Sequence, residues 1–575
     1  MRIRSTHIVL ALGLATGPVT FTAQQPASNQ PAPLVKAEAA VSPDRIRETD
    51  RFISSDIFEG RYPGLRGGQL AAEYIADQFA QAGLNPAGDD GGYLQEVNFV
   101  GMKADPANTS FTFTYAPGTT SQNPAAPRVL SLQFGNDYTV SNQTLTPLAT
   151  FNAPVVFVGY GITAPEFGWN DYAGVDVKGK VILCIVGDPP SDDPRFFGGR
   201  ALTYYGRWTY KFEQAARMGA VGALIIHRTD LASYGWDVVK NSNSGERTFL
   251  RDDKNPRLKA ASWIQLDVAR KLFAMSATAG LDLDAEFKAA GTRGFKAVEL
   301  PVQLQAEITS TVRPFQSPNV VARLPGESET AHKPDQAVLY TAHYDHLGIV
   351  PGKSGDNIYN GAADNGTGVA MLLEMARSWK SAVDNGLTLP HSVFFSAVTA
   401  EEQGLLGSEY LGQHPPVPAS QIAMDINYDM LLPLGVQREI NVNGVQRTSF
   451  YPTVQSTAKR YDLAIVPDPR PEAGSYYRSD HFSLSRVGIP AFSIDAGTLY
   501  EGHDAAWGEA REKDFNENHY HNFSDEFDPK WDFRGDAKLV RFGIDLGWQV
   551  ITAPATVRWN AGDEFEAARK ASGGQ

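Results

Sequence analysis

The stretch AVLYTAHYDHLG, residues 337–348, joins a run of apolar residues to three titratable side chains. The apolar run is typical of a buried strand, and His343 and Asp345 follow where the strand is predicted to end. In open α/β sheets, functional sites lie beyond the carboxyl ends of the strands. If His343 is a metal ligand, further ligands must follow other strands of the same sheet.

Carboxylates or imidazoles do follow the later predicted strands. Taken alone, a residue such as Asp364 is more often a helix cap, His343 an ordinary loop histidine, and a glutamate pair part of a solvated surface. The repetition of such groups at successive strand ends favours a shared site instead. The further candidates are Asp364, Glu401, Glu402, Asp429, His519 and His521.

Two imidazoles with several carboxylates suit a pair of divalent cations. Mixed nitrogen and oxygen ligands favour zinc, with cobalt or manganese as possible substitutes. The adjacent residues Glu401 and Glu402 would repel each other without a nearby cation. Neighbouring loop residues can point in different directions, so one glutamate can bind metal while the other remains free as a base.

The alternation of apolar runs and helical patterns from residue 318 onward predicts an α/β fold. Continuous apolar strands indicate a mixed, largely parallel sheet sandwiched by helices. Short β-rich runs from about residue 150 predict a small inserted domain. The predicted organisation is a signal peptide (1–23), a linker (24–41), the first part of a catalytic domain (42–148), the β-rich insert (149–297), the second part of the catalytic domain (298–562) and a tail (563–575).

Composition narrows the possible partners and locations. A net charge of -14 argues against nucleic acid or an anionic membrane surface as a partner. A basic N-terminus followed by a short apolar run predicts an export signal, and hence a periplasmic or secreted protein with no membrane span in its mature form. The single cysteine, Cys184, lies in an apolar run, which indicates a small buried hydrophobe and excludes an intrachain disulfide.

Six stretches resemble, in the same order, the motifs of the M28 family of zinc aminopeptidases, the Aeromonas leucyl aminopeptidase or transferrin-receptor-like group. The resemblance covers roughly residues 315–530 and implies a zinc-peptidase fold of the phosphorylase/hydrolase-like type. Residues 53–79 are similar to the family's N-terminal part, and the insert resembles a protease-associated (PA) domain. The stretches are TAHYDHLG, NGAADNGTG, TAEEQGLLGSEY, NYDML, RSDHFSLSRVGIPAFSI and YHNFSDEFD.

The resemblance implies five metal ligands. His343 and Asp429 would bind one zinc ion, Glu402 and His521 would bind the other, and Asp364 would bridge both. Together they imply a dinuclear zinc hydrolase that acts through a metal-bridged hydroxide.

The resemblance also implies roles beside the metals. Glu401 would be the general base, and Asp345 would hold the ring of His343. Tyr520 matches a tyrosine that in some relatives stabilises the tetrahedral intermediate. Three residues match a stretch near the substrate: Arg478, Asp480 and His481.

The predicted function is an exported metallo-exopeptidase that removes N-terminal residues from peptides with a free amino group, with apolar first residues preferred. A glutamate carboxypeptidase is an alternative, but it needs cations for the substrate carboxylates, and only Arg478 and Arg486 are candidates. A glutaminyl cyclase-like acyltransferase works with one zinc, which the full ligand set opposes. A non-catalytic receptor is opposed by the same ligands. Oligomeric state, the role of the insert and the metal used in the cell stay open.

The remaining histidines carry weaker signals. Surface or packing roles are expected for most of them, while those close to the last candidate ligand stay undecided. The first group is His227, His332, His346, His391 and His414, and the second is His503 and His519.

Overall fold

The computed structural model describes residues 30–116, 128–232, 235–331 and 334–574. The predicted signal peptide (1–23) lies outside the described residues. None of the helices within them is long and apolar enough to span a membrane. The helices are α1 (Ala32–Ala39), α2 (Pro43–Ile53), α3 (Arg66–Ala82), α4 (Trp208–Arg217), α5 (Thr229–Ala232), α6 (Trp236–Ser244), α7 (Leu266–Met275), α8 (Leu283–Ala290), α9 (Glu327–Thr330), α10 (Thr367–Asp384), α11 (Leu406–Gln413), α12 (Tyr451–Arg460), α13 (His481–Arg486), α14 (Ala505–Asn518), α15 (Arg534–Ile551) and α16 (Glu566–Ala571).

Most of the strands join one large mixed sheet. The strands are β1 (Asn85–Pro86), β2 (Leu94–Tyr115), β3 (Val129–Ser131), β4 (Tyr138–Ser141), β5 (Leu148–Phe157), β6 (Thr163–Ala164), β7 (Trp169–Asn170), β8 (Val181–Ile185), β9 (Gly222–His227), β10 (Arg247–Leu250), β11 (Ala260–Gln265), β12 (Val298–Leu324), β13 (Ala337–His343), β14 (Gly348–Ile349), β15 (Ile358–Tyr359), β16 (Val393–Val398), β17 (Ile422–Asn427), β18 (Glu439–Asn441), β19 (Ala464–Ile465), β20 (Ala491–Ser493) and β21 (Asp495–Ala496).

The strands of the predicted catalytic domain run in the order β20, β17, β13, β16, β12. The first four are parallel to their neighbours, and β12 closes the row antiparallel to β16. Helices α2, α3, α10 and α15 bury their apolar faces on one side of these strands, and α11 and α13 cover the other. The predicted mixed, largely parallel sheet between helices is confirmed.

A second core lies around the parallel strands β5, β8 and β9 and around β11, which is parallel to β9. Strands β2 and β12 form a long antiparallel ribbon that contributes to both cores. Through this ribbon the second core contains Phe111 and Phe113, and through β4 it contains Tyr138; the predicted bounds assign all three to the catalytic domain. Cys184, on β8, is buried as predicted, on the opposite face of these strands. The PA assignment of the insert stays a prediction.

The segments predicted as a linker and a tail both contain packed helices. The described part of the predicted linker (24–41) forms α1, whose Leu34 is buried in the core beside α10; its first six residues lie outside the described residues. The predicted tail (563–575) contains α16, where the buried Arg569 donates hydrogen bonds to the carbonyl groups of Ala419 and Ile422. Buried apolar contacts in α1 and the buried hydrogen bonds of Arg569 in α16 hold these two segments against the rest of the protein.

Candidate metal centre

Three parallel strands place candidate ligands at one edge of the sheet. In the register of the sheet, His343 lies opposite Val398, and Thr341 lies opposite Asn427. Asp429 therefore follows its strand at the level of His343, and the loop with the adjacent glutamates begins at the same edge. The short distances between these side chains follow from strand register and not from sequence proximity.

The first ligand group forms around His343, which is 1% exposed. Its Nε2 atom lies 3.1 Å from Asp429 Oδ1 and 3.3 Å from Asp364 Oδ1. Its Nδ1 atom lies 3.2 Å from the carbonyl oxygen of Asp345, which requires a proton on Nδ1 and leaves Nε2 as the ligand atom. Burial lowers the pKa of His343, but the carboxylates outweigh it and raise that pKa well above its ordinary value.

The second ligand group forms around Glu402 and His521. His521 Nε2 lies 3.1 Å from Glu402 Oε2 and 3.3 Å from Asp364 Oδ2. Burial raises the pKa of Glu402, but His521 and His346 together outweigh it, and the pKa falls to about 2. Asp364 thus directs one oxygen to each imidazole, so its carboxylate stands between the two groups.

His346 belongs to the centre, contrary to the surface or packing role predicted for it. Its ring is fully buried, and Nδ1 lies 2.7 Å from Glu402 Oε1. His346, Asp364 and Glu402 therefore form a second possible ligand set beside His343, Asp364 and Asp429. The signal in the sequence is its position three residues after His343, in the same loop.

Glu401 and Glu402 differ sharply although they are adjacent. Burial raises the pKa of Glu401 well above its ordinary value; His343 opposes this rise, and the Glu402 and Asp429 carboxylates add to it. Of the two glutamates, only Glu402 contacts the imidazoles of His346 and His521. The pair therefore separates into Glu402, whose carboxylate contacts two imidazoles, and Glu401, whose carboxylate contacts neither of them.

Polar groups around the centre hold the ligand-bearing backbone. The Asp345 carboxylate accepts hydrogen bonds from the backbone N–H groups of Glu401 (3.0 Å) and Glu402 (3.4 Å). Asp525 accepts in the same way from the N–H group of Asp364 at 3.0 Å. The Ser479 hydroxyl donates to Asp429 Oδ2 at 2.5 Å. Sequence analysis missed Ser479 and Asp525, which lie inside quoted motifs but carry no spacing signal of their own.

Arg61 lies buried beneath the loops that carry the ligands, and sequence analysis missed its role. Its Nε atom donates to the carbonyl oxygen of Tyr344 at 2.7 Å, and Nη2 donates to that of Gly361 at 2.8 Å. A further pair of hydrogen bonds goes to the carbonyl oxygens of Ile53 and Asn360. One guanidinium group thus joins the loop after His343 to the loop before Asp364.

The predicted residues near the substrate separate into two sets. Burial and the carboxylates of the centre raise the pKa of Tyr520 well above its ordinary value, while the exposed Arg478 opposes this, so both lie within electrostatic reach of the ligands. Asp480 is buried nearby, and burial raises its pKa to about 7. His481 instead lies against Tyr476, with ring centroids 4.8 Å apart, inside an aromatic cluster.

The other histidines lie away from the ligand groups. His503 stacks on Trp507, and His519 Nδ1 lies 2.9 Å from Ser524 Oγ. The exposed His414 stacks on Tyr410. The remaining two described histidines are His227, buried beside Trp236, and His391, paired with Asp335, while His332 lies outside the described residues.

Comparison with known proteins gives matches over the part of the chain that holds the centre. Residues 319–539 match the sequence model of Peptidase family M28. Leucine aminopeptidase 1 of Trichoderma harzianum is 28% identical over 189 residues, which are 31% of this chain and 44% of that protein. Aminopeptidase YwaD of Bacillus subtilis (strain 168) is 30% identical over 154 residues, 26% of this chain and 30% of that protein.

Two further matches complete the comparison. A probable zinc metalloprotease of Pyricularia oryzae is 29% identical over 143 residues, 24% of this chain and 26% of that protein. The chain thus spans less than half the length of these three curated relatives. The solved structure of an aminopeptidase from Aneurinibacillus sp. strain AM-1 aligns over 92% of this chain and 97% of its own, with 18% identity and a TM-score of 0.47.

The donor set of the centre fits zinc. Imidazole nitrogen and carboxylate oxygen are ligands that zinc prefers, and three carboxylates converge here on imidazoles with ligand atoms about 3 Å apart. Asp364 faces both groups, as a shared ligand would. Residues 319–539 thus match peptidase family M28 in sequence, and their donor set is one that zinc accepts.

Proposed function

We propose that the protein is an aminopeptidase that uses two zinc ions to hydrolyse the first peptide bond of peptides with a free N-terminus. The observation that carries this proposal is the Asp364 carboxylate, which lies 3.3 Å from an imidazole nitrogen on each side. A carboxylate between two imidazole-containing groups is suited to bridging two cations. A site for one cation needs no such shared ligand.

The chain's own residues divide between the two zinc ions. His343 and Asp429 would hold one, Glu402 and His521 the other, and Asp364 both. When bound, a pair of zinc ions lowers the pKa of a water molecule and stabilises negative charge on the substrate carbonyl oxygen. Cobalt or manganese are candidate substitutes because they accept the same ligand types.

Glu401 is the proposed general base. It would accept a proton from the attacking water at a carboxylate oxygen and return it to the nitrogen of the leaving amine, a role worth roughly 10²–10⁴ in rate. Its carboxylate is raised in pKa by burial and is not engaged by the imidazoles that bind Glu402. A carboxylate that no imidazole engages keeps its oxygens available to accept a proton.

The charges around the centre favour a substrate amine over a substrate carboxylate. Carboxylate recognition requires fixed cations, ideally a bidentate arginine. Of the two candidates, Arg486 is engaged elsewhere: its Nη2 lies 3.2 Å from Glu213 Oε2, on a helix of the second core. Arg478 alone remains near the centre, which weakens the glutamate carboxypeptidase alternative. The cyclase alternative, which needs one zinc ion, is weakened because Asp364 contacts an imidazole in each of the two ligand groups.

Export is part of the proposal. The basic and apolar residues 1–23 support a cleaved signal and a periplasmic or secreted enzyme. N-terminal sequencing of the mature protein from a native host tests this: a start near residue 24 is expected, and an intact Met1 in the cytoplasmic fraction contradicts it.

The activity is tested with matched peptide substrates. Unblocked aminoacyl anilides should be cleaved, and acetylation of the amine should abolish cleavage because the amine is part of what the site recognises. A panel of first residues then tests the expected apolar preference. Equal rates on free and acetylated substrates would falsify the aminopeptidase proposal, and rapid release of C-terminal glutamate would favour the carboxypeptidase instead.

The number of zinc ions is tested separately from activity. Purified protein should contain about two equivalents by elemental analysis, because Asp364 serves two ligand groups. Removal by a chelator should abolish hydrolysis, and zinc should restore it. Full activity with a single equivalent would contradict the two-zinc proposal and favour a cyclase-like site.

A further inference from the structure

His346 is a buried polar side chain that the proposed mechanism does not use. Its ring is 0% exposed, and Nδ1 lies 2.7 Å from Glu402 Oε1. Its Nε2 atom has no hydrogen-bond partner among the residues that the structure describes. The ring is therefore held on one side by a single strong polar contact.

That contact has a defined direction. An ionised carboxylate only accepts hydrogen bonds, so Nδ1 of His346 carries the proton and donates it to Oε1 of Glu402. The second oxygen, Oε2, faces His521 at 3.1 Å. The two oxygens of Glu402 thus have different partners, and the hydrogen bond at Oε1 fixes the plane of the carboxylate.

The surrounding backbone keeps the His346 ring in place. Gly361 has φ +58°, and a Cβ atom built on it would come within 2.6 Å of the ring. Tyr359 lies edge-on to the ring, with centroids 6.3 Å apart. The glycine before the Asp364 loop is needed because this loop packs directly on the imidazole.

We propose that His346 is a positioning residue that orients Glu402 so that Oε2 is presented to the zinc ion shared with His521 and Asp364. This inference rests on the proposed two-zinc function. A hydrogen-bonded partner outside the ligands commonly contributes 10–100-fold in metal affinity. His346 serves the second ligand group in this way, as Ser479 serves the first through Asp429.

The test compares His346→Ala, His346→Asn and His346→Gln in full-length protein. The amide of Asn can donate from nearly the position of Nδ1, whereas the longer Gln places its amide nearer to Nε2. After zinc removal, zinc alone is added back in competition with a chromogenic chelator. His346→Ala should lower the zinc affinity of the second ligand group about 10–100-fold and leave that of the first group unchanged. His346→Asn should recover most of the lost affinity, and His346→Gln should not.

One further measurement separates positioning from direct ligation. The absorption spectrum of cobalt-loaded protein reports the number of ligands, and it should keep its shape in His346→Asn. If the spectrum shows the loss of one ligand in all three variants, His346→Asn included, then His346 binds the metal itself and the positioning role is wrong. Unchanged affinity of both equivalents in His346→Ala would overturn it as well.

Controls distinguish this inference from the proposed function. His414→Ala removes an exposed histidine that stacks on Tyr410 and should leave both zinc affinities unchanged. If His346→Ala fails to fold, the Asn and Gln variants still differ only in the reach of one amide. If the wild-type protein binds only one zinc ion, the proposed function is wrong. If the wild-type protein binds two zinc ions and His346→Ala binds both with unchanged affinity, only the role of His346 is wrong.

Discussion

The two ligand groups differ in how the chain holds them. In the first group, His343 is the last residue of β13 and Asp429 follows β17 by two residues. In the second, Glu402 lies in a turn and His521 in a loop, with its side chain 35% exposed and φ at +54°. Sheet register orders the first group before any metal binds, while the second depends on two loops. We therefore expect the first group to hold its zinc more tightly.

The largest expected effect removes the residue common to both groups. Asp364→Ala should lower the zinc content below one equivalent and abolish turnover, because each group loses a ligand. Zinc content and hydrolysis of an unblocked anilide are the measurements. Asp335→Ala removes a buried carboxylate paired with His391, away from the centre, and serves as the control. If Asp364→Ala still contains two equivalents of zinc, the two ligand groups bind zinc without a shared ligand.

Single histidine variants test the difference between the groups directly. His521→Ala should leave one zinc that resists chelation, because the strand-end group is intact. His343→Ala should also leave one zinc, but one that is removed at a lower chelator concentration. Chelator titration followed by elemental analysis measures both. Equal resistance, or a more tightly held zinc in His343→Ala, would reverse the expected order.

The glutamate pair offers a matched comparison within two adjacent residues. Glu401→Gln should keep both zinc ions and reduce kcat by roughly 10²–10⁴, because only the proton transfer is lost. Glu402→Gln should release or weaken one zinc ion, because Glu402 contacts both His346 and His521. If the two variants exchange these behaviours, the assignment within the pair is reversed.

A smaller effect is expected at Asp345. Its carboxylate holds the backbone of the glutamate turn, and its oxygen Oδ1 lies 3.8 Å from His343 Nδ1, so it supports both groups at once. Asp345→Asn should weaken zinc binding about 10–100-fold without changing the number of ions. A loss confined to one equivalent, measured by the same titration, would show that Asp345 supports one group alone.

Strand-end residues were predictable, whereas loop conformations were not. His343 and Asp429 follow continuous apolar strands, and parallel strands bring such positions together whatever the intervening sequence. His346 has the same residue type in the same loop, but nothing in its spacing tells whether the loop turns inward. The direction is set by packing on Gly361, which lies 15 residues later, in the loop that precedes Asp364.

In the fold, too, regular elements were predictable from the sequence, whereas elements that depend on distant contacts were not. The helices and strands of the catalytic domain have clear periodicity, and the sheet was predicted from it. Helix α1 was missed because its composition is that of a linker, and only contact with α10 explains its order. The hydrogen bonds of Arg61 reach carbonyl groups about 300 residues away, and no local pattern encodes such a contact.

The ribbon of β2 and β12 also affects how the chain must fold during synthesis. Its two strands are separated by about 180 residues, so β2 leaves the ribosome long before its partner exists. At about 5–20 residues per second, β2 waits roughly 10–40 s for β12, with only β3 and β10 available to pair with it earlier. Since each strand serves both cores, neither core can be completed early. A fragment that ends before residue 298 therefore lacks a strand that both cores require, so no N-terminal piece of the chain can form either core completely.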